Sequence, residues 1–156
     1  MKTNELTGRW NDWLAASEAL LLTLHEQTAA VTLRDVARVE RLQPSLEFGL
    51  ARLAQIDAQA VDQAQRLAES LGAEPTLRSL VARLDKAEGQ ALHGLANKVT
   101  MAARHVSDTI AKNRALLENE MTYVNGTLTL IAKAAGAPPT PYRKRNAGPV
   151  LIDAAA

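Results

Sequence analysis

The sequence predicts an all-α protein, an elongated antiparallel helical hairpin or bundle of three to four helices with coiled-coil-like packing and a mobile C-terminal tail. Three observations carry this expectation. Hydrophobic residues fill 47% of the 156 positions but aromatic ones only 3%, and the apolar content is mainly Leu and Ala, which suit helices better than strands. These residues recur at helical spacing along most of the chain. The pattern stops at Gly136, where prolines take over. A chain of this length ordinarily makes one domain, so residues 1–135 are expected to form a helical bundle and 136–156 a flexible Pro/Ala-rich tail.

The first helix is read from Trp10, Leu14, Leu21, Leu24 and Val31, with Ser17 and Thr28 completing a seam of alternating four- and three-residue steps. Thr32-Leu-Arg-Asp35 then has the form of a capping box, with Thr32 expected to start the next segment. Pro44 lacks an amide donor and disfavours the α conformation at Gln43, which predicts a kink or a restart there. Leu46, Leu50, Leu53, Asp57, Ala60, Ala64, Leu67 and Leu71 continue the spacing into a second long helix, ended by Gly72 in a left-handed cap. Pro75 and Thr76 restart the chain into a short amphipathic stretch carrying Leu77, Leu80, Val81 and Leu84, and Gly89 marks a possible kink.

The last helix is the most regular. Leu92, Leu95, Val99, Val106, Ile110, Leu117, Met121, Val124, Leu128 and Ile131 fall in one band at the helical period, and it can run to Ala135. Extended from Gly89, such a helix would be about 70 Å long, more than a compact domain of this size is wide. After Gly136 come Pro138, Pro139 and Pro141, then Tyr142-Arg143-Lys144-Arg145, then Val150-Leu151-Ile152 and three alanines. This composition has too little periodic apolar content to offset the entropy of ordering.

Charge and chemistry narrow the function. Lys plus Arg is 18 and Asp plus Glu is 17, a net charge of +1, which argues against nucleic acid as a partner. Arg143, Lys144 and Arg145 are too few for such a site and read better as a solubilising flank. Cysteine is absent, so disulfides, thiolate nucleophiles and Cys-ligated metals are excluded, in keeping with a reducing compartment. The apolar run around Ala19–Leu22 is too short for a secretory segment, and no stretch is long enough for membrane insertion. A cytoplasmic location is expected.

No catalytic constellation appears. Nucleophile elbow, Walker loop and dinucleotide fingerprint are all missing, and the glycines stand singly. No cofactor is expected. The residues three before His25, His93 and His105 are Leu22, Gln90 and Ala102, so none of the histidines has the Glu-x-x-His pairing by which bundles hold metal. Asn125-Gly126-Thr127 matches a glycosylation sequon, but it lies inside a helical pattern.

What remains is apolar surface. Leu116, Tyr123 and Leu130 form a second stripe at seven-residue spacing, about 100° round from the main band of the last helix. One reading packs this end against two neighbours. The other leaves part of the wide face open as a groove for a partner's amphipathic helix.

The same helix carries a resemblance. Asn113-Arg-Ala-Leu116-Leu117-Glu118, Met121, Leu128 and Ile131, followed by Pro139-Thr140-Pro141-Tyr142 and Gly148, resemble the FlgN family of flagellar type III export chaperones. The resemblance implies a helical, cytoplasmic, non-enzymatic protein that binds the amphipathic C-terminal segments of the hook–filament junction proteins FlgK and FlgL and delivers them to the export gate. It implies partner binding by Asn113, Leu116, Leu117, Met121, Tyr123, Val124, Leu128 and Ile131, and docking of Tyr142 to the cytoplasmic domain of the gate protein FlhA. Arg143 stands where the family often has glycine, and Pro44 falls in a helix that is commonly continuous in relatives. A different class, a structural coiled-coil protein self-associating through the same stripes without a client, is the alternative.

Overall fold

The computed structural model describes residues 2–136, and the expected tail after Gly136, Tyr142 included, lies outside the described residues. Four helices follow one another: α1 (Asn4–Thr32), α2 (Val36–Leu71), α3 (Leu77–Arg83) and α4 (Lys86–Ala134). No strand occurs among the described residues. Arg9 reaches Gln59 and Leu20 packs on Gly49, so α1 and α2 are antiparallel. Thr3 meets Glu88, Leu24 meets Asn113 and Arg34 meets Glu120. These pairings advance together, so α4 runs alongside α1 in the same direction and antiparallel to α2.

Because α1 lies between α2 and α4, it buries a wide face. Leu6, Trp13, Ser17, Leu20, Leu24, Gln27, Ala30 and Val31 are buried, while Trp10, Leu14 and Leu21 of the predicted seam are half-buried at its margin. A single seam seven residues long per two turns describes contact with one neighbour; two neighbours displace the buried centre from that line. One core cluster joins Trp13, Leu20 and Leu24 to Leu46, Leu53 and Ile56 of α2 and to Val106 and Ile110 of α4. A second, at the end where α3 packs, joins Leu6, Ala60, Leu67, Ala68, Leu80 and Leu92.

The structure corrects the expected cap at Thr32 and the expected restart at Pro44. Thr32 is the last residue of α1 and its hydroxyl donates back to the Thr28 carbonyl, whereas Asp35 caps α2 by accepting from the Arg38 amide. The carboxylate is the stronger acceptor for a helix N-terminus. Pro44 neither ends nor restarts α2. Val39, Leu42, Leu46, Leu50 and Leu53 stay in phase across it on the side facing the bundle, and Pro44 itself is exposed, so packing on both sides outweighs one missing backbone bond. At Gly89 α4 is unbroken; a β-carbon there would lie 3.2 Å from Val81 Cγ1 and 3.3 Å from the Val81 carbonyl oxygen. Glycine lets α3 approach the backbone of α4. The expected cap at Gly72, with φ 60, is present, and at the expected restart Thr76 caps α3 by accepting from the Ser79 amide.

Two polar contacts set the register of α4 on α1. At the shared N-terminal end the Asp85 side chain caps the Glu88 amide, and the nearly buried Glu88 carboxylate accepts from the Thr3 amide and hydroxyl at 3.4 and 3.2 Å. A carboxylate placed between two helix N-termini is favoured by both dipoles. Midway along, Asn113 is fully buried, with its amide nitrogen donating to the Leu24 carbonyl at 2.8 Å and to Gln27 Oε1 at 2.9 Å. Its amide oxygen accepts from the Thr28 hydroxyl.

Two stability predictions follow from these contacts. Asn113→Leu leaves Gln27 buried without its donor, which should cost about 1–3 kcal/mol and lower the melting temperature by several degrees in a thermal scan. Pro44→Ala restores an amide to the interior of α2 at an exposed position and should raise the melting temperature, by an amount corresponding to about 1–3 kcal/mol.

Candidate partner-binding surface

Helix α4 has 49 residues and α1 has 29, so a register fixed at Glu88 and Asn113 carries α4 past the end of its neighbour. The crossing point is marked by Arg34, in the turn between α1 and α2. Its Nε lies 3.0 Å from Glu120 Oε2, and its guanidinium carbon sits 4.4 Å from the centroid of the Tyr123 ring. From there to Ala134 the helix continues for about 20 Å, beyond the last residue of α1 and the first of α2.

This segment holds both apolar stripes, and no residue of α4 after Asn113 is buried. Leu116, Leu117 and Met121 are half-buried at its root. Beyond them Tyr123 is 55% exposed, Leu130 69% and Ile131 59%, while Val124 and Leu128 are each 37% exposed. Together the stripes occupy about half the helix circumference at 100° per residue. Thr122, Thr127 and Thr129 donate their hydroxyls to the carbonyls of Glu118, Tyr123 and Asn125 in the preceding turn, which satisfies these donors within the helix. The Arg114–Glu118 pair lies at the root and Lys133 in the last turn.

Of the residues expected to bind a partner, the structure therefore brings Tyr123, Val124, Leu128 and Ile131 onto one accessible surface, with Leu116, Leu117 and Met121 leading into it. Asn113 is not among them; its side chain is saturated inside the α1–α4 contact. Tyr142 lies outside the described residues. Sequence reading missed Arg34, because a residue in a turn has no periodicity to mark it. Its only sequence signal is its place between the last apolar residue of one helix and the acidic cap of the next.

Other sites of chemistry do not form. His25 and His105 come together across α1 and α4 with ring centroids 6.0 Å apart, edge to face, while His93 approaches Asn97 on its own helix. No group of three or more His, Cys, Asp or Glu able to hold a metal ion occurs among the described residues. No described helix is long and apolar enough to cross a membrane.

Comparison with known families gives a match to the family model described as FlgN protein over residues 1–147. No curated protein and no solved structure matches the chain. The family match spans all four helices, and its members are non-enzymatic chaperones of hook-associated proteins, in agreement with a molecule whose salient surface is an apolar helix face. The chain belongs to the FlgN family of flagellar export chaperones.

Proposed function

We propose that the projecting part of α4 is the client site of this chaperone, and that it receives the amphipathic C-terminal helix of a hook-associated protein of FlgK or FlgL type. Family membership implies binding to such proteins. The observation that supports placing them here is the exposure of Tyr123, Leu130 and Ile131 on a helix that has outrun both helices of the hairpin. Contiguous apolar surface on a soluble chain marks a docking site. A face about half a circumference wide suits a helix laid alongside, with anchors one and two turns apart.

The work of such a site is to hold and release. Client segments that order on binding lose part of the contact energy to that ordering, which keeps affinity moderate and the complex reversible. Apolar contact alone would serve both clients, since it demands spacing and not sequence. Delivery belongs to the tail, with Tyr142 as the anchor that docks on the cytoplasmic domain of FlhA, and the protein acts in the cytoplasm. An exposed tail aromatic can anchor an interface without contributing to the bundle.

Two measurements separate these roles. Replacing Leu128 and Ile131 together by Glu puts two charges into the surface to be buried, and unpaired buried charges cost several kcal/mol. Calorimetric titration with an FlgK-type protein should show at least hundredfold weaker binding, while the melting temperature stays near that of the parent because neither residue serves the core. Unchanged affinity would remove α4 from the client site. Tyr142→Ala should leave client affinity unaltered and weaken capture by immobilised FlhA cytoplasmic domain; equal capture of variant and parent would remove the tail tyrosine from delivery.

A further inference from the structure

The turn that ends α1 contains a residue whose backbone and side chain make opposite demands. Both long helices of the hairpin close with the same pair of hydrogen bonds: the amides of Asp35 and Arg34 donate to the carbonyls of Ala30 and Val31, and those of Ala73 and Gly72 to the carbonyls of Ala68 and Glu69. The motif places one residue in the left-handed region, which glycine occupies without strain. In α2 that residue is Gly72, at φ 60; in α1 it is Arg34, at φ 57, the one non-glycine residue with positive φ among those described. A β-carbon is disfavoured there. The backbone gives no reason for an arginine.

The side chain does. It spans from the turn to α4, forming the ion pair with Glu120 and lying over the Tyr123 ring. Those two residues sit where α4 leaves the bundle, and Tyr123 opens the proposed client face. We propose that Arg34 is a positioning residue of the client site, fixing the Tyr123 ring and the root of the free helix so that the client docks on a surface already ordered. This rests on the reading of α4 given above. The planar guanidinium covers one face of the ring and leaves the other to the partner, while the carboxylate of Glu120 holds the guanidinium in place. A surface ordered beforehand forfeits less freedom on binding. Lysine keeps the charge but lacks the planar group that stacks.

The test uses the full chain and a full-length FlgK-type protein, with affinity measured by calorimetry and stability by thermal melting. Arg34→Gly should melt at the parent temperature or above it, because glycine removes the left-handed penalty, and should bind about three- to tenfold more weakly. Arg34→Lys should recover part of that affinity. In a Tyr123→Leu background the Arg34→Gly change should have little further effect, since the two act as one unit. Parent-like binding by Arg34→Gly, with binding abolished in the Leu128→Glu/Ile131→Glu variant, would overturn the role of Arg34 and leave the client surface standing. Parent-like binding by that double variant would instead overturn the client surface itself. A marked fall in the melting temperature of Arg34→Gly would make the arginine a determinant of folding, and would also overturn the inference.

Discussion

Everything distinctive about this molecule depends on the register between α1 and α4. The two helices differ greatly in length, and where the surplus emerges is decided by which residues of α4 lie against α1. Apolar packing alone tolerates displacement by a turn, because Leu and Ala stripes are nearly self-similar at that step. Buried polar groups do not. Moving Asn113 by one turn would strip the buried Gln27 Oε1 of its donor and Asn113 itself of its partners on α1, and moving Glu88 would leave its carboxylate without Thr3. Unsatisfied buried groups cost more than the satisfied ones contribute, so these contacts act chiefly by penalising alternatives, the role a single polar core residue plays in coiled coils.

The surplus then has to emerge at one end. At the other, α2, α3 and the N-termini of α1 and α4 close into the second core cluster, which leaves no free helix there. The emerging segment carries two apolar stripes where the packed part of α4 carries one. Sequence alone left two meanings open for the wider face, a second internal neighbour or an external partner. The exposure of Tyr123, Leu130 and Ile131 removes the internal neighbour among the described residues.

Helix identity was legible because periodicity, Gly72 and Thr76 all act within a few residues along the chain. What escaped sequence reading depends on contacts between distant segments. Pro44 resembles a break until Leu46 and Leu53 are seen packed in phase with Val39 and Leu42. Gly89 reads only as a weak point of a helix until Val81 is found against it. Asn113 resembles a surface polar residue at the edge of a binding helix until Leu24 and Gln27 are placed across from it. Asp35 took the cap from Thr32 because α1 runs through Thr32 itself, one residue past the last seam position, Val31. On the candidate site the apolar residues were readable, since spacing alone groups them, whereas Arg34 reaches the site from the turn after α1 and has no spacing relation to it.

A free helical segment of this length would be marginal in water, since the first turn costs far more entropy than each later one. Here that cost is met within the packed part of α4, and the projecting turns need only propagate. Local terms then hold them: the Arg114–Glu118 pair at the root, Lys133 near the negative end of the helix dipole, and Gly136 at φ 69 in the closing turn. None of these terms is large, so order should decline from Tyr123 toward Ala134. For a client laid along this face as proposed, the root would be firm before contact, while the tip, helical but less tightly held, would settle as it is covered. Part of the contact energy would then go into steadying the tip, which lowers the affinity of such a complex.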